Sequence, residues 1–264
     1  MKGRVVVTAG YDRALHALAL VELLRRAGHD VAGILVVSAF RVKRLKALLR
    51  QRGRSALPLL ASKLFGMRRA ASADASPLFD FLRRESIAGG SLRAWAKAHD
   101  VPHRVVGSLN DPDAVALVRE AGAQAVFYAG GGILRKPLLD AAAGRVVNAH
   151  SGPLPEIRGM NALEWSILIG EPPTVTIHVI DLGIDTGGVI EKIPIPVEPG
   201  DTIESLREKC EVLGVQGLVR AAALVDRPLP ARPPGADAHR QCFVMAPVLR
   251  ELAERKLSGR GVPR

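Results

Sequence analysis

Strand, helix and strand follow one another within the first 40 residues, and that order restricts the fold more than any other feature. Val5-Val6-Val7-Thr8 is a short apolar run. Residues 13 to 27 place Leu15, Leu18, Ala19, Leu23 and Leu24 at helical spacing, and Gly28 stands where the helix should close. Val31 to Val37 is a second apolar run. A strand–helix–strand unit this short implies two parallel strands joined by a right-handed crossover.

The alternation resumes further on. Helices are expected over 92–99, 111–121, 136–143, 162–168, about 201–225 and 245–257. Strands are expected at 105–106, 124–129, 146–149, 174–180 and 189–195. Asp201-Thr202-Ile203-Glu204 reads as a capping box for the long helix. The expected fold is α/β, a Rossmann-like, mostly parallel twisted sheet flanked by helices. Residues 1–227 form the expected catalytic domain, and 228–264 a proline-rich linker and C-terminal helix.

Residues 39–90 interrupt this pattern and read as a helical insertion after the second strand. Val42, Leu45, Leu48 and Leu49 form a helical stripe there, Leu57 to Phe65 an apolar patch, and Ser76-Pro77 a helix start. The formal net charge of +11 is concentrated in the same place, because Arg41 to Arg69 holds ten Lys or Arg and no Asp or Glu. Such a segment suits an anionic partner, although a solvated helical face is the simpler explanation.

Several classes are set aside by composition. No run of 18 apolar residues exists, so no membrane span is expected. Residues 1–7 are too short an apolar stretch for a signal peptide. Cys210 and Cys242 have no CxxC spacing and no nearby histidine pair, which predicts neither a disulfide framework nor a zinc site, and fits a reducing cytoplasm. The first strand–helix turn, Thr8-Ala9-Gly10-Tyr11-Asp12, is neither GxGxxG nor a Walker loop, so no bound dinucleotide is expected.

The candidate site lies at strand ends. Asn148 and His150 are two residues apart on the run beginning Val146-Val147, so an extended strand points both to one face. Asp185 stands in the turn Gly183-Ile184-Asp185-Thr186-Gly187-Gly188. Alone, the histidine would read as a core residue and the aspartate as a turn former. Asn, His and Asp without a Ser or Cys nucleophile suit attack on a carbonyl by an external nucleophile. Asn148 would donate to the developing oxyanion, His150 would move a proton or stabilise charge, and Asp185 would hold His150. No metal is needed and none is expected.

Asn148-x-His150, Leu154-Pro155, Arg158-Gly159, Thr176-Ile177-His178 and Gly183-Ile184-Asp185-Thr186-Gly187 together resemble the formyltransferases that use 10-formyltetrahydrofolate. Members of that family modify glycinamide ribonucleotide, methionyl-tRNA or nucleotide-linked amino sugars. The resemblance spans about residues 1–225. It implies that Asn148, His150 and Asp185 are catalytic and that Tyr128, Gly132, Ile133, Leu134, Ile180, Asp181 and Gly183 hold the pterin through backbone groups. The implied donor is 10-formyltetrahydrofolate and the implied acceptor a small-molecule amine, with an anionic or nucleotide-linked one open. His150-Ser151-Gly152-Pro153 departs from the family's His-Pro-Ser-Leu, which argues against the ribonucleotide and tRNA acceptors. Only about 39 residues follow Val225, too few for the barrel domain of the tRNA enzyme. Methionyl-tRNA formyltransferase-like activity and 10-formyltetrahydrofolate hydrolysis stay as alternatives. The hydrolase usually carries a regulatory domain ahead of the catalytic one, which is not expected here because the first strand follows Met1 directly. An anionic-polymer binding protein is the non-enzymatic alternative. Nucleic acid is not favoured, because the 41–69 segment is nearly free of aromatic residues for base stacking.

Overall fold

The computed structural model describes residues 2–37 and 76–259. The basic segment 41–69, the stripe from Val42 to Leu49 and most of the expected insertion lie outside the described residues.

The elements run β1 (Lys2–Ala9), α1 (Leu15–Arg26), β2 (His29–Val37), α2 (Pro77–Arg84), α3 (Leu92–Ala98), β3 (His103–Val106) and α4 (Pro112–Glu120). They continue with β4 (Ala125–Ala129), α5 (Lys136–Ala141), β5 (Val146–His150), β6 (Arg158–Gly159), α6 (Ala162–Ile169), β7 (Thr174–Val179) and β8 (Val189–Pro194). The last elements are α7 (Ile203–Ala221), β9 (Gln241–Cys242) and α8 (Pro247–Leu257). Seven strands form one sheet in the order β3-β2-β1-β4-β5-β7-β8, and β6 and β9 form a separate pair. The pairs from β3 through β5 are parallel, whereas β5–β7 and β7–β8 are antiparallel. The sheet is therefore mostly parallel, as expected, with an antiparallel edge.

Side-chain alternation along β1 explains the two helical layers. Val5 and Val7 face a core shared with Leu20 and Leu24 of α1, Phe81 of α2, Leu92 of α3 and Leu206 and Leu218 of α7. Val6 points the other way, into a core with Leu117 of α4 and Leu138 of α5. Burying the central strands on both faces accounts for their unbroken apolar runs.

One local expectation needs correction. The N-cap of α7 is Thr202, and its capping-box partner is Ser205 rather than Glu204. Asp201 is unavailable for that role because its carboxylate accepts from Lys209, Ser205 Oγ and the Glu198 N–H. Ser76 caps α2 as expected, accepting from the Phe79 N–H at 3.3 Å. The pairing of β6 with β9 had no sequence signal, since each strand has only two residues.

Candidate active site

Antiparallel register assembles the site. Asn148 pairs with His178 across β5 and β7, and His150 pairs with Thr176 two residues on. Directly opposed residues in such a ladder share a face and lie within side-chain reach. The Asn148 Nδ2 to His178 Nε2 distance is 3.1 Å. His178 Nδ1 lies 2.9 Å from the Val179 carbonyl, which can only accept, so Nδ1 carries the proton and Nε2 presents a lone pair. Burial lowers the His178 pKa to about 4, the largest effect, partly opposed by Asp185. The neutral ring therefore takes one N–H of the Asn148 amide and fixes its orientation. The second N–H of Nδ2 is left for an oxygen in the site.

His150 is buried at the end of β5, with 7% of its surface exposed. Its Nε2 lies 3.0 Å from the Ile157 carbonyl, and its Nδ1 lies 3.5 Å from Asp185 Oδ2. Both neighbours are acceptors, so both contacts are favourable when the ring donates from both nitrogens. Thr176 Oγ1 donates to the Gly152 carbonyl at 2.7 Å and accepts from the Leu154 N–H, which fastens the turn after His150 to β7. A Cβ at Gly152 would lie 2.6 Å from Ala162 Cβ and 3.0 Å from His150 Nε2. The departure from the family's serine here thus concerns the packing of the imidazole, a contact the sequence does not reveal.

Asp185 adopts φ +51°, a left-handed backbone unusual for a non-glycine residue and frequent at functional sites. Its Oδ2 accepts from the Gly159 N–H at 2.8 Å, and its Oδ1 lies 3.7 Å from His178 Nε2. The carboxylate thus sits between two rings whose centroids are 6.1 Å apart and nearly perpendicular. The structure brings Asn148, His150 and Asp185 together, with Asp185 bonded most closely to Gly159.

Three cavities meet at Asn148, and two of them also reach His150 or Asp185. One, of about 460 Å³, is lined by Tyr128, Gly132, Ile133, Leu134, Ile180, Asp181, Gly183 and Asp185 among others, so it gathers every residue expected to hold the pterin. Some of their backbone groups are already engaged. The Tyr128 hydroxyl donates to the Gly132 carbonyl and accepts from its N–H, and Asn110 Nδ2 donates to the Ile133 carbonyl. Asp181 Oδ1 accepts from the Gly183 N–H and Thr186 Oγ1, shaping the loop before Asp185. The walls of this cavity are largely apolar. The second cavity, of about 440 Å³, is polar and includes His150, Ser151, Asn161, Glu164, Arg207 and Glu211. Glu164 is 98% buried, since its exposure is 2%, and is ion-paired with Arg207. Glu211 lies 3.6 Å from His16 Nδ1. Burial pulls His16 down, but Glu211 and the Ala129 carbonyl outweigh it and hold the imidazole above its ordinary range.

Two supporting residues were not singled out from sequence. His178 was only part of a motif, because its partnership with Asn148 depends on β7 running antiparallel. Arg158 is buried, and its guanidinium donates to the Ile184, Asp237 and His239 carbonyls at 2.7–3.0 Å. It ties the Asp185 loop to the C-terminal segment. Among the described residues, no group of three or more His, Cys, Asp or Glu could hold a metal ion, and no helix is long and apolar enough to cross a membrane.

Comparison with known proteins places this arrangement. Methionyl-tRNA formyltransferase from Anaeromyxobacter sp. (strain K) is 33% identical over 146 residues, covering 54% of this chain and 47% of the relative. The enzyme of that name from Geotalea uraniireducens is 32% identical over 136 residues, covering 51% and 44%. The chain thus spans about half the length of the curated relatives it matches. Phosphoribosylglycinamide formyltransferase from Bacillus halodurans shares the fold at TM-score 0.56 and 22% identity, over 84% of this chain and 94% of that one. Glycinamide ribonucleotide transformylase 1 from Geobacillus kaustophilus does so at TM-score 0.57 and 19% identity, over 85% and 99%. The model of the formyl transferase family matches residues 4–222, most of the chain and the whole of the Asn148–His150–Asp185 constellation, and the chain belongs to that family.

Proposed function

We propose that the protein transfers a formyl group from 10-formyltetrahydrofolate to the amine of a small metabolite, with Asn148, His150 and Asp185 as the catalytic residues. The observation that carries this reading is the Asn148 amide, held by neutral His178 and bordering both cavities. The apolar cavity takes the donor and the polar one the acceptor. The donor, when bound, supplies a formyl group on an arylamine nitrogen.

The remaining chemistry falls to the chain. The free N–H of Asn148 Nδ2 donates to the formyl oxygen as it gains charge on attack, a contribution worth about 10²–10³ in rate for a single donor. His150, held at Nε2 by the Ile157 carbonyl, sets its Nδ1 beside Asp185 and orients that carboxylate. Asp185, one of two aspartates lining the donor cavity and the one beside His150, can accept the proton leaving the attacking amine. The new C–N bond forms to the amine as the bond to the donor nitrogen breaks, and the amine proton ends on that nitrogen.

Charge on the acceptor side narrows the substrate. Among the described residues lining that cavity, the carboxylates are Glu164 and Glu211, and the one guanidinium, Arg207, is ion-paired with Glu164. A phosphate beside Asn148 would face net negative charge, whereas an amine or hydroxyl groups would be attracted. An amino sugar or similar hydroxylated amine suits this lining, and a nucleotide moiety would extend away from it. Methionyl-tRNA is the second reading, favoured by the 32–33% identical relatives.

The test is formyl transfer from 10-formyltetrahydrofolate to a panel of amino sugars, sugar nucleotides and methionyl-tRNA. We expect transfer to a hydroxylated amine, reduced about 10²–10³-fold in Asn148→Ala. Donor consumption that needs no amine would instead establish a hydrolase. No consumption with any acceptor would overturn the proposal.

A further inference from the structure

The C-terminal segment Gln241–Phe243 lies beyond residue 222, where the match to the family ends, yet it forms a wall of the donor cavity. It is built into place. β9 pairs with β6, the Met160 N–H donates to the Cys242 carbonyl at 3.0 Å, and Trp165 Nε1 donates to the Phe243 carbonyl at 3.0 Å. The Met245 N–H donates to Asn161 Oδ1. Gly159 has φ +96°, and a Cβ there would lie 2.1 Å from the Cys242 carbonyl oxygen, so the close approach requires glycine. Cys242 is buried against Ile157 and Ala162.

A segment anchored this firmly nevertheless leaves Phe243 70% exposed. Ile133, Met160 and Leu182 are also exposed by 59–69%, and all four side chains line the same cavity. They make up four of the ten large apolar residues exposed among those described, so the concentration marks a ligand surface rather than ordinary scatter. Gly159, whose N–H holds Asp185, separates Met160 from the catalytic carboxylate. Ile133 and Leu182 instead belong to the two loops that face the pterin.

We infer that Phe243, with Met160, packs against the benzoyl ring of the folate donor, making the C-terminal segment a donor-binding element. The inference rests on the proposed use of 10-formyltetrahydrofolate. The ring follows directly from the nitrogen that bears the formyl group, so a donor reacting at Asn148 and Asp185 must direct its ring along one wall of this cavity. Met160 and Phe243 form the apolar wall next to Gly159.

Equilibrium binding to the full-length protein separates this idea from the function it rests on. Two probes are used: 5-formyltetrahydrofolate, measured by calorimetry, and 6-methyltetrahydropterin, which lacks the benzoyl ring, measured by ligand-observed NMR. Phe243→Ala should weaken the first on the order of 10-fold, as expected for losing an aromatic contact and its buried area, while leaving the second within about twofold. Phe243→Tyr should restore the folate affinity. Equal binding of 5-formyltetrahydrofolate by wild type and Phe243→Ala, or equal loss of both probes, would overturn the inference and leave the donor assignment standing. A wild-type protein that binds neither probe would overturn both.

Discussion

The proposed donor and acceptor cavities on either side of Asn148 are built from different materials. The donor side uses backbone loops and exposed apolar side chains, Ile133, Leu182, Met160 and Phe243. The acceptor side uses charges that already have partners, Glu164 with Arg207 and Glu211 with His16. An apolar surface gains free energy from any flat ring that covers it, whereas paired charges favour only a ligand that replaces or complements them. The donor side therefore speaks to a class of molecule, and the acceptor side to selectivity within a class.

The largest effects should come from the groups at the junction of the two sides, His150 on one and Asp185 on the other. Asp185→Ala or His150→Ala should lower kcat by about 10³ with folding retained, because the first removes the proposed proton acceptor and the second the ring that orients it. Full activity in either would dismantle the shared centre. His178→Ala should cost less, about tenfold in kcat, because Asn148 keeps its donor and loses only its orientation. Its KM values should change little, and a large rise in donor KM would show instead that His178 shapes the cavity.

His178 also predicts a pH signature. Its pKa is depressed to about 4, chiefly by burial, from an ordinary 6.5. Between those values the unfolded chain binds a proton that the folded chain does not. Stability should fall as pH drops from 6.5 to 4, by up to about 3 kcal/mol. Equilibrium denaturation at several pH values should show that slope in the wild type and a flatter one in His178→Ala.

Smaller, one-sided changes sharpen the contrast. Gly152→Ser should lower stability by about 1–3 kcal/mol through contact with Ala162 and His150, and depress kcat as the ring shifts. Glu211→Gln should raise the acceptor KM about three- to tenfold and leave the donor KM unchanged, since one half-buried carboxylate is a modest contact. A matching rise in donor KM would erase the division between the cavities.

How much of this was legible in the sequence depended on the range of the interaction. The apolar run of β1 and the stripe of α1 are local patterns, and they located the parallel sheet. The period of two in Asn148-x-His150 placed both side chains on one face, and the Gly-rich turn signalled Asp185. His178 was not assigned a role because nothing local shows that β7 reverses direction and opposes it to Asn148. The contacts of Arg158 and the pairing of β6 with β9 join positions about 80 residues apart through backbone carbonyls, which carry no residue-type signal. Gly152 showed a departure from the family, but only the distance to His150 Nε2 gives it a physical cause.

The central claim is that Asn148 acts on the reacting oxygen rather than on binding. Measuring 5-formyltetrahydrofolate affinity and single-turnover formyl transfer side by side in Asn148→Ala tests it directly. The account predicts affinity within about twofold of wild type and transfer slower by about 10²–10³-fold. Transfer at the wild-type rate, or a loss of transfer fully explained by lost donor affinity, would contradict it.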